Sequence, residues 1–315
     1  MVTIQNILKF DKQHATAVTI GTFDGVHIGH RKLLNRLIDD AKLYHLKSTV
    51  LTFFPHPRMV LQQDADIKLL NTIDEKRQIL EKIGLDYLVI HPFSKKFSRL
   101  SATEFVENIL VNGLRCKKII IGYDHRFGRN RNADITDLKD FGTTFNFQVD
   151  EIPAQEIDEV SVSSTKIRKA LEEGDIKTAN TYLGYNYMLT GVVVKGKGLG
   201  RQLNYPTANI FIEETYKLIP LKGSYVVKSE LNNTTVFGMM NIGFNPTVSE
   251  TNAIPKESVE VHFFDFKEDL YGQKIQVSIL ERIRDEHKFK SVDALKVQLA
   301  KDKEVALGII SQNPL

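Results

Sequence analysis

Through the first half of the chain, short apolar runs alternate with stretches whose apolar residues recur every three or four positions. Ala17-Val18-Thr19-Ile20, Thr49 to Phe54, Tyr87-Leu88-Val89-Ile90 and Lys118 to Ile121 read as buried strands, with Phe145 to Val149 a candidate fifth. Leu33, Leu34, Leu37, Ile38 and Ala41 fall on one helical face, and Asp74 to Lys82 is helical. Ser101 with Glu104 makes a capping-box pattern ahead of the stripe Phe105, Ile109, Leu110. Strands alternating with helices predict a doubly wound parallel sheet, with ligands at the carboxyl ends of its strands. Beyond Tyr182 to Asn186 the pattern changes. Thr190 to Val194, Thr207 to Ile212, Tyr225 to Glu230, Val236 to Asn241, Val259 to Phe264 and Ile275 to Leu280 are short strands broken by Gly, Asn and Pro. They predict a small closed β-barrel, followed by a terminal helix that Ser291 caps and that carries Leu295, Leu299 and Ala306. The expected architecture is an α/β domain over residues 1–184 and a β-barrel domain with a terminal helix over residues 185–315.

Composition adds bounds. A chain of 315 residues with 42% apolar and 26% charged residues is long enough for two cores. A net charge of +3 gives no global basic field to argue for nucleic acid. The single cysteine, Cys116, excludes an internal disulfide and fits a reducing compartment. No apolar segment approaches a membrane span, and Met1-Val2-Thr3-Ile4 does not read as a signal peptide, so the expected location is the cytoplasm.

The candidate chemistry begins at Gly21-Thr22-Phe23-Asp24-Gly25-Val26-His27-Ile28-Gly29-His30, between the first strand and its helix. Strand, glycine turn, helix is an arrangement whose free backbone N–H groups receive phosphate, and His27 and His30 then lie where those phosphates would be. The alternative is an ordinary turn with surface histidines. Pro55-His56-Pro57 stops the next strand in a rigid loop after Phe54. Gly122 to Arg131, with Asp124, Arg126, Arg129 and Arg131, suits a small anion at the same sheet edge, or else a solvated or nucleic-acid-binding surface. Ser163-Ser164-Thr165-Lys166-Ile167-Arg168 opens a helix with three hydroxyls and two cations, either a plain cap or a grip on a triphosphate.

In the second half, Gly196-Lys197-Gly198-Leu199-Gly200-Arg201 is neither a P-loop nor a dinucleotide fingerprint, but its backbone can approach phosphate closely. Thr207 and Asn209 project from one strand face as hard oxygen ligands suited to Mg²⁺, or line a barrel mouth. Glu260 shares a face with His262. It is a solvent-facing glutamate, or, if turned inward, a base for an alcohol. Residues from Ser249 to Ser258 predict a mobile loop over that site.

His27-Ile28-Gly29-His30 with the Ser163 to Arg168 segment resembles the nucleotidyltransferase superfamily; the first motif alone also resembles class I aminoacyl-tRNA synthetases, but no KMSKS-like segment accompanies it. Phe54 to Pro57 and Gly122 to Arg131 sharpen the likeness to the FMN adenylyltransferase module of bacterial FAD synthetases. The second half resembles riboflavin kinase in its glycine loop, Pro206-Thr207-Ala208-Asn209, Asn241 to Thr247, Val259 to His262, Leu270-Tyr271-Gly272, and Arg284 with Phe289. The two likenesses stand in the order of the bifunctional bacterial riboflavin kinase/FAD synthetase family.

The resemblance implies a nucleotidyltransferase-type sheet and an enzyme acting on riboflavin, FMN and ATP with Mg²⁺, with no nucleic-acid or membrane partner and the oligomeric state open. His27, His30, Arg168 and Glu260 would be catalytic. Gly21, Phe23, Asp24, Gly29, Asp124, Ser163, Ser164, Thr165, Gly196, Lys197, Gly198 and Gly200 would bind nucleotide. Phe54, Pro55, His56, Arg126, Asn241 and Arg284 would bind flavin, and Thr207 and Asn209 the metal. A flavin-binding regulatory protein without turnover and an RNA-binding module on the arginine loop are the competing readings. Three residues depart from the family pattern. Asn204 replaces a usual glycine, which anticipates an unusual backbone angle there, and His125 and Asn132 replace residues near the expected ligand contacts.

Overall fold

The computed structural model describes residues 1–62, 67–123, 125–153, 162–196, 200, 203–245 and 256–312. Its first six strands are β1 (Val2–Gln5), β2 (Thr16–Ile20), β3 (Lys47–Phe54), β4 (Tyr87–Pro92), β5 (Cys116–Gly122) and β6 (Gln148–Ile152). They form one parallel sheet in the order β1-β4-β3-β2-β5-β6. From β2 the chain winds outward through β3 and β4, then crosses back to β5 on the other side. The order therefore reverses between β2 and β5, the crevice where open α/β sheets take ligands. The central strands are buried on both faces because helices cover them. β2 reads Thr-Ala-Val-Thr-Ile without one exposed position.

Helix α1 (Ile28–Leu43) follows β2, burying Leu34, Leu37, Ile38 and Ala41. The short α2 (Pro57–Leu61) and α3 (Ile73–Ile83) precede β4. α4 (Ala102–Phe105) carries the expected capping box, Ser101 with Glu104, and continues as a π-helix through Val111. α5 (Ile135–Phe145) is capped by Asp134 and lies where no helix was anticipated; the candidate strand at its end begins only at Gln148. β1 was also missed. It is a four-residue edge strand with one buried position, too short to show a period.

By contact the chain separates into units Met1–Ser164 and Thr165–Leu315. α6 (Ser164–Glu172) starts at that division, and α7 (Ile176–Leu183) belongs with the second unit. There Asn180 Nδ2 donates to the Ile279 carbonyl at 2.9 Å, and its Oδ1 accepts from the Tyr187 amide at 2.7 Å. The remaining strands are β7 (Met188–Val194), β8 (Ala208–Phe211), β9 (Gly223–Leu231), β10 (Thr234–Asn245), β11 (Lys256–Phe263) and β12 (Lys274–Asp285). They close into an antiparallel barrel in the order β10-β11-β8-β7-β12-β9. Leu189, Ile210, Val227, Ile242, Val259, Val261 and Val277 are among its buried apolar residues. Asn204 has φ 64°, the left-handed angle its place before the barrel strand anticipates.

The terminal helix α8 (Val292–Gln312) buries only Ala306 and Asp302 fully, and Ala306 packs with Val226, Met239 and Phe264 on the outer barrel wall. Asp302 receives Arg284, with Nε to Oδ1 at 3.0 Å and Nη2 to Oδ2 at 2.7 Å, and Gln298 adds a third bond at 2.8 Å. Removing one partner of such a buried pair strands the other charge. Asp302→Ala is expected to lower the stability of the second unit by roughly 3–5 kcal/mol. Urea unfolding followed by circular dichroism checks this, and an unchanged midpoint would mean that α8 does not depend on the pair.

Candidate active sites at the switch point and on the barrel wall

The β2–α1 turn is held in a conformation that few residues adopt unaided. Phe23 has φ 45° and Val26 φ 38°, beside Gly25 at φ 87°. For the bulky Phe23 and the β-branched Val26 this is strain of about 1–3 kcal/mol each, which persists only where the surroundings over-determine it. They do so here. The Thr22 carbonyl accepts from Lys76 Nζ at 2.6 Å, the Asp24 carboxylate from the Leu70 amide at 2.9 Å, and the Asp24 carbonyl from Ser164 Oγ at 2.8 Å.

His27 caps α1, its Nδ1 accepting from the His30 amide at 3.3 Å, and the two imidazoles stack with centroids 3.7 Å apart. Gly29 lets the His27 ring lie this close, since a Cβ there would stand 3.3 Å from the ring. Phe23 meets His30 edge-on at 5.2 Å. Burial pushes the His27 pKa down to about 4, against a smaller opposing pull from Asp24. Burial, with His27 and Lys76 alongside, holds His30 well below 6.5. Both imidazoles are therefore neutral at pH 7, and the buried Nδ1 of His30 has no hydrogen-bond partner among the described residues. A neutral imidazole with an idle nitrogen, beside amides at a helix start, is equipped to hydrogen-bond a phosphate.

The other expected residues of this unit spread along the sheet edge. Phe54 ends β3, and His56 caps α2 through Nδ1 to the Arg58 amide at 3.2 Å. Arg126, Arg129 and Arg131 are exposed. Gly21 is tied by its amide to Leu51 O at 3.1 Å. Ser163 is half-buried, Thr165 exposed and Arg168 half-buried, the last two in the second unit; Asp124 lies outside the described residues. Two features escaped the sequence reading. One is Lys76, buried to 4% exposure; the other is an aromatic wall. In the wall Phe53 contacts Phe93 and Phe97, Phe97 contacts Phe105, and Phe105 contacts Phe127, with centroids 5.4 to 6.1 Å apart. Phe93 sits in a loop and Phe97 opens a three-residue 3-10 helix, both too short to show a period.

In the barrel, strand register assembles the second site. Glu260 pairs with Asn209 on one side and Asn241 on the other, so three polar side chains form a row across three strands. Val259 and Val261 are buried, so this row faces outward from the barrel. Glu260 is nonetheless half-covered: Thr207 Oγ1 donates to its Oε2 at 3.2 Å. Gly196 crosses so near Asn209 that a Cβ would fall 2.2 Å from Nδ2, and a Cβ on Gly200 would fall 2.3 Å from the Tyr205 carbonyl and 3.4 Å from Thr207 Oγ1. His262 Nδ1 lies 2.8 Å from the Pro206 carbonyl; that oxygen only accepts, so Nδ1 carries the proton.

Thr207 and Asn209 offer two neutral oxygens beside one carboxylate, a donor set that fits a magnesium ion held mainly by water and phosphate. Arg284 turns its guanidinium to Asp302, with Phe289 5.6 Å away. Lys197, Gly198 and most of the expected mobile loop fall outside the described residues.

Residues 9–166 match the family model described as FAD synthetase, and residues 183–310 the one described as riboflavin kinase. A bifunctional riboflavin kinase/FMN adenylyltransferase of Buchnera aphidicola subsp. Acyrthosiphon pisum is 38% identical over 95% of this chain and 94% of its own. The chain belongs to the bifunctional riboflavin kinase/FMN adenylyltransferase family. The family member of Escherichia coli K12 is 36% identical over 93% of this chain and 92% of its own. A crystal structure described as a macrolide-efflux protein from Streptococcus pneumoniae shares the fold over the full length of both chains, with TM-score 0.86 and 31% identity. Among the described residues, no helix is long and apolar enough to cross a membrane.

The neutral His27 couples folding to pH. Its pKa falls from 6.5 to about 4 on folding, so the unfolded chain binds the proton more readily. Its contribution to stability is complete above pH 6.5 and is lost as the pH falls through about 4. His27→Asn, which keeps a capping acceptor, is expected to flatten the loss of stability between pH 6.5 and 4. Denaturant midpoints measured across that window check it; an unaltered slope would show that His27 is not the group responsible.

Proposed function

We propose that this chain makes both flavin cofactors, phosphorylating riboflavin to FMN in residues 185–315 and adenylylating FMN to FAD in residues 1–184. The observation that carries the reading is that one chain holds two separate sites, each a glycine-thinned backbone approach beside uncharged hydrogen-bonding groups. One is at the sheet's switch point and the other on the barrel wall.

In the kinase half, the 5′-hydroxyl oxygen of riboflavin bonds to the γ-phosphorus of ATP. The bond from that phosphorus to the bridging oxygen breaks, ADP leaves, and the hydroxyl proton passes to the Glu260 carboxylate. The Gly196 to Gly200 loop, with Lys197 and Gly198, holds the phosphates. Thr207 and Asn209 would hold Mg²⁺, which neutralises phosphate charge when bound. Asn241, at the exposed end of the row, faces the flavin. Arg284 is assigned to holding α8 through Asp302 and borders the flavin only through that helix.

In the adenylyltransferase half, an oxygen of the FMN phosphate bonds to the α-phosphorus of ATP as pyrophosphate leaves. That nucleophile is already an anion, so His27 and His30 act as neutral hydrogen-bonding groups. Gly21, Phe23, Asp24 and Gly29 shape the turn around them. Ser163, Ser164, Thr165, Asp124 and Arg168 are assigned to nucleotide binding or charge neutralisation by resemblance. The isoalloxazine lies against the aromatic wall near Phe54, Pro55 and His56, with Arg126 toward the FMN phosphate. The molecules bound are small: riboflavin, FMN and ATP.

Purified chain given riboflavin, ATP and Mg²⁺ is expected to yield FMN and then FAD on chromatographic separation; neither product would leave only a binding role. Glu260→Ala is expected to cut FMN formation on the order of 10²-fold or more while FMN-to-FAD conversion stays near normal. His30→Ala should do the reverse. Equal loss of both activities in the Glu260 variant would make that residue structural, and an undiminished FAD yield in the His30 variant would remove the imidazole pair from the chemistry.

A further inference from the structure

Among the buried charges that the mechanism above does not use, Lys118 pairs with Asp40 at 2.8 Å, whereas Lys76 is turned to a backbone carbonyl. Lys76, in the opening turn of α3, is 4% exposed, and its ammonium donates to the Thr22 carbonyl at 2.6 Å. Nothing in α3 itself calls for it. The helix start is completed by Thr72 and Glu75, whose side chains and amides bond reciprocally at 3.0 and 3.2 Å. A cation in the first turn also opposes the helix dipole, and desolvating an ammonium is costly. A residue that breaks local rules this way is expected where function imposes it.

What Lys76 touches supplies the reason. Thr22 opens the strained turn through Phe23 and Val26, and its carbonyl accepts from the Lys76 ammonium. We propose that Lys76 is a positioning residue for adenylyl transfer: by holding the Thr22 carbonyl it fixes the turn that presents His27, His30 and the α1 amides to the phosphates of a nucleoside triphosphate. The proposal rests on the adenylyltransferase reading. Without the ammonium the Thr22 oxygen keeps only the long hydrogen bond from Thr52 Oγ1 at 3.4 Å, and the turn can relax out of its left-handed angles. The ammonium also acts through space. His27 from the turn and Lys76 from α3 act on His30, and Asp24 acts on His27 and Lys76; Lys76 is among the causes that keep His30 neutral, after burial and His27. Burial lowers the Lys76 pKa in turn, against a pull from Asp24.

Lys76→Met removes donor and charge at similar volume, and Lys76→Gln keeps a donor without the charge. In the full chain, with FMN, ATP and Mg²⁺, Lys76→Met is expected to lower kcat/KM for FAD formation on the order of 10²-fold. Lys76→Gln should recover part of that loss. FMN formation from riboflavin in the same preparation should stay within about twofold of the parent, since additivity holds for sites without shared partners. The acid limb of the FAD pH profile should move upward, because His30 then protonates more readily. Parent-like kcat/KM and pH profile in Lys76→Met would overturn the proposal, as would equal loss of both activities, which would mark a purely structural lysine. A parent chain that makes no FAD would defeat the adenylyltransferase reading instead. In that case the backbone amide shifts of residues 22–27, followed by NMR without substrate, still decide whether Lys76 holds the turn: shifts that move in Lys76→Met and return toward the parent in Lys76→Gln support the hold, and unmoved amides refute it.

Discussion

Close approach of backbone to neighbouring groups is the constraint on which both candidate sites are built. At the switch point Gly29 lets an imidazole lie flat against the first turn of α1, where free amides gather. On the barrel wall Gly196 and Gly200 bring a crossing segment onto Asn209 and the Tyr205–Thr207 stretch, where a Cβ at Gly196 would overlap the carboxamide. In each case the space a side chain would fill is taken by a neighbouring group of the site, the His27 ring, the Asn209 carboxamide or the Tyr205 carbonyl. The two folds differ in every other respect, and this shared requirement fixes where each can work.

The electrostatics of the two sites are set more by burial than by formal charge. His27 and His30 stand in a row that looks cationic on paper, yet burial holds both neutral. The positive charge beside them is Lys76, one layer beneath the turn. An arrangement of this kind keeps a hydrogen-bonding nitrogen available without placing two adjacent imidazolium ions in an enclosed space, which their mutual repulsion would resist. Lys76 itself is kept by a hydrogen bond to the Thr22 carbonyl.

Much of this was legible from residue order alone. The strands with continuous apolar runs and the change to short strands near Gly184 are local patterns, and the fold carries them out; the strand expected from Thr207 begins at Ala208. Asn204 was readable for the same reason, since a backbone angle follows from a single residue. What escaped depends on contacts distant in sequence. Lys76 reads as one more polar position on an amphipathic helix until Thr22, more than fifty residues earlier, is seen to receive it. Arg284 reads as an available cation until α8 returns with Asp302. The aromatic wall joins β3, the loop after β4, α4 and the loop after β5, so no window of sequence contains it.

The orientation of Glu260 shows why alternation by itself does not decide function. Along β11 the sequence says only that Glu260 and His262 share a face. An inward face seemed the one suited to chemistry, because an outward one is ordinarily solvated. A six-stranded closed barrel reverses that argument. Eight strands enclose an interior just wide enough for side chains, and six enclose less, so the inside is filled by Val259, Val261 and their neighbours and has no room for a substrate. Any site on such a barrel must lie on its outer wall, and must then be sheltered by something other than the wall. Here the shelter begins with the Tyr205–Thr207 segment, fastened at Thr207 to Glu260 and at Pro206 to His262. The outward glutamate and the glycine-rich crossing are thus parts of one solution: a barrel too narrow to hold its ligand inside needs a covering segment thin enough to let the ligand lie beneath it.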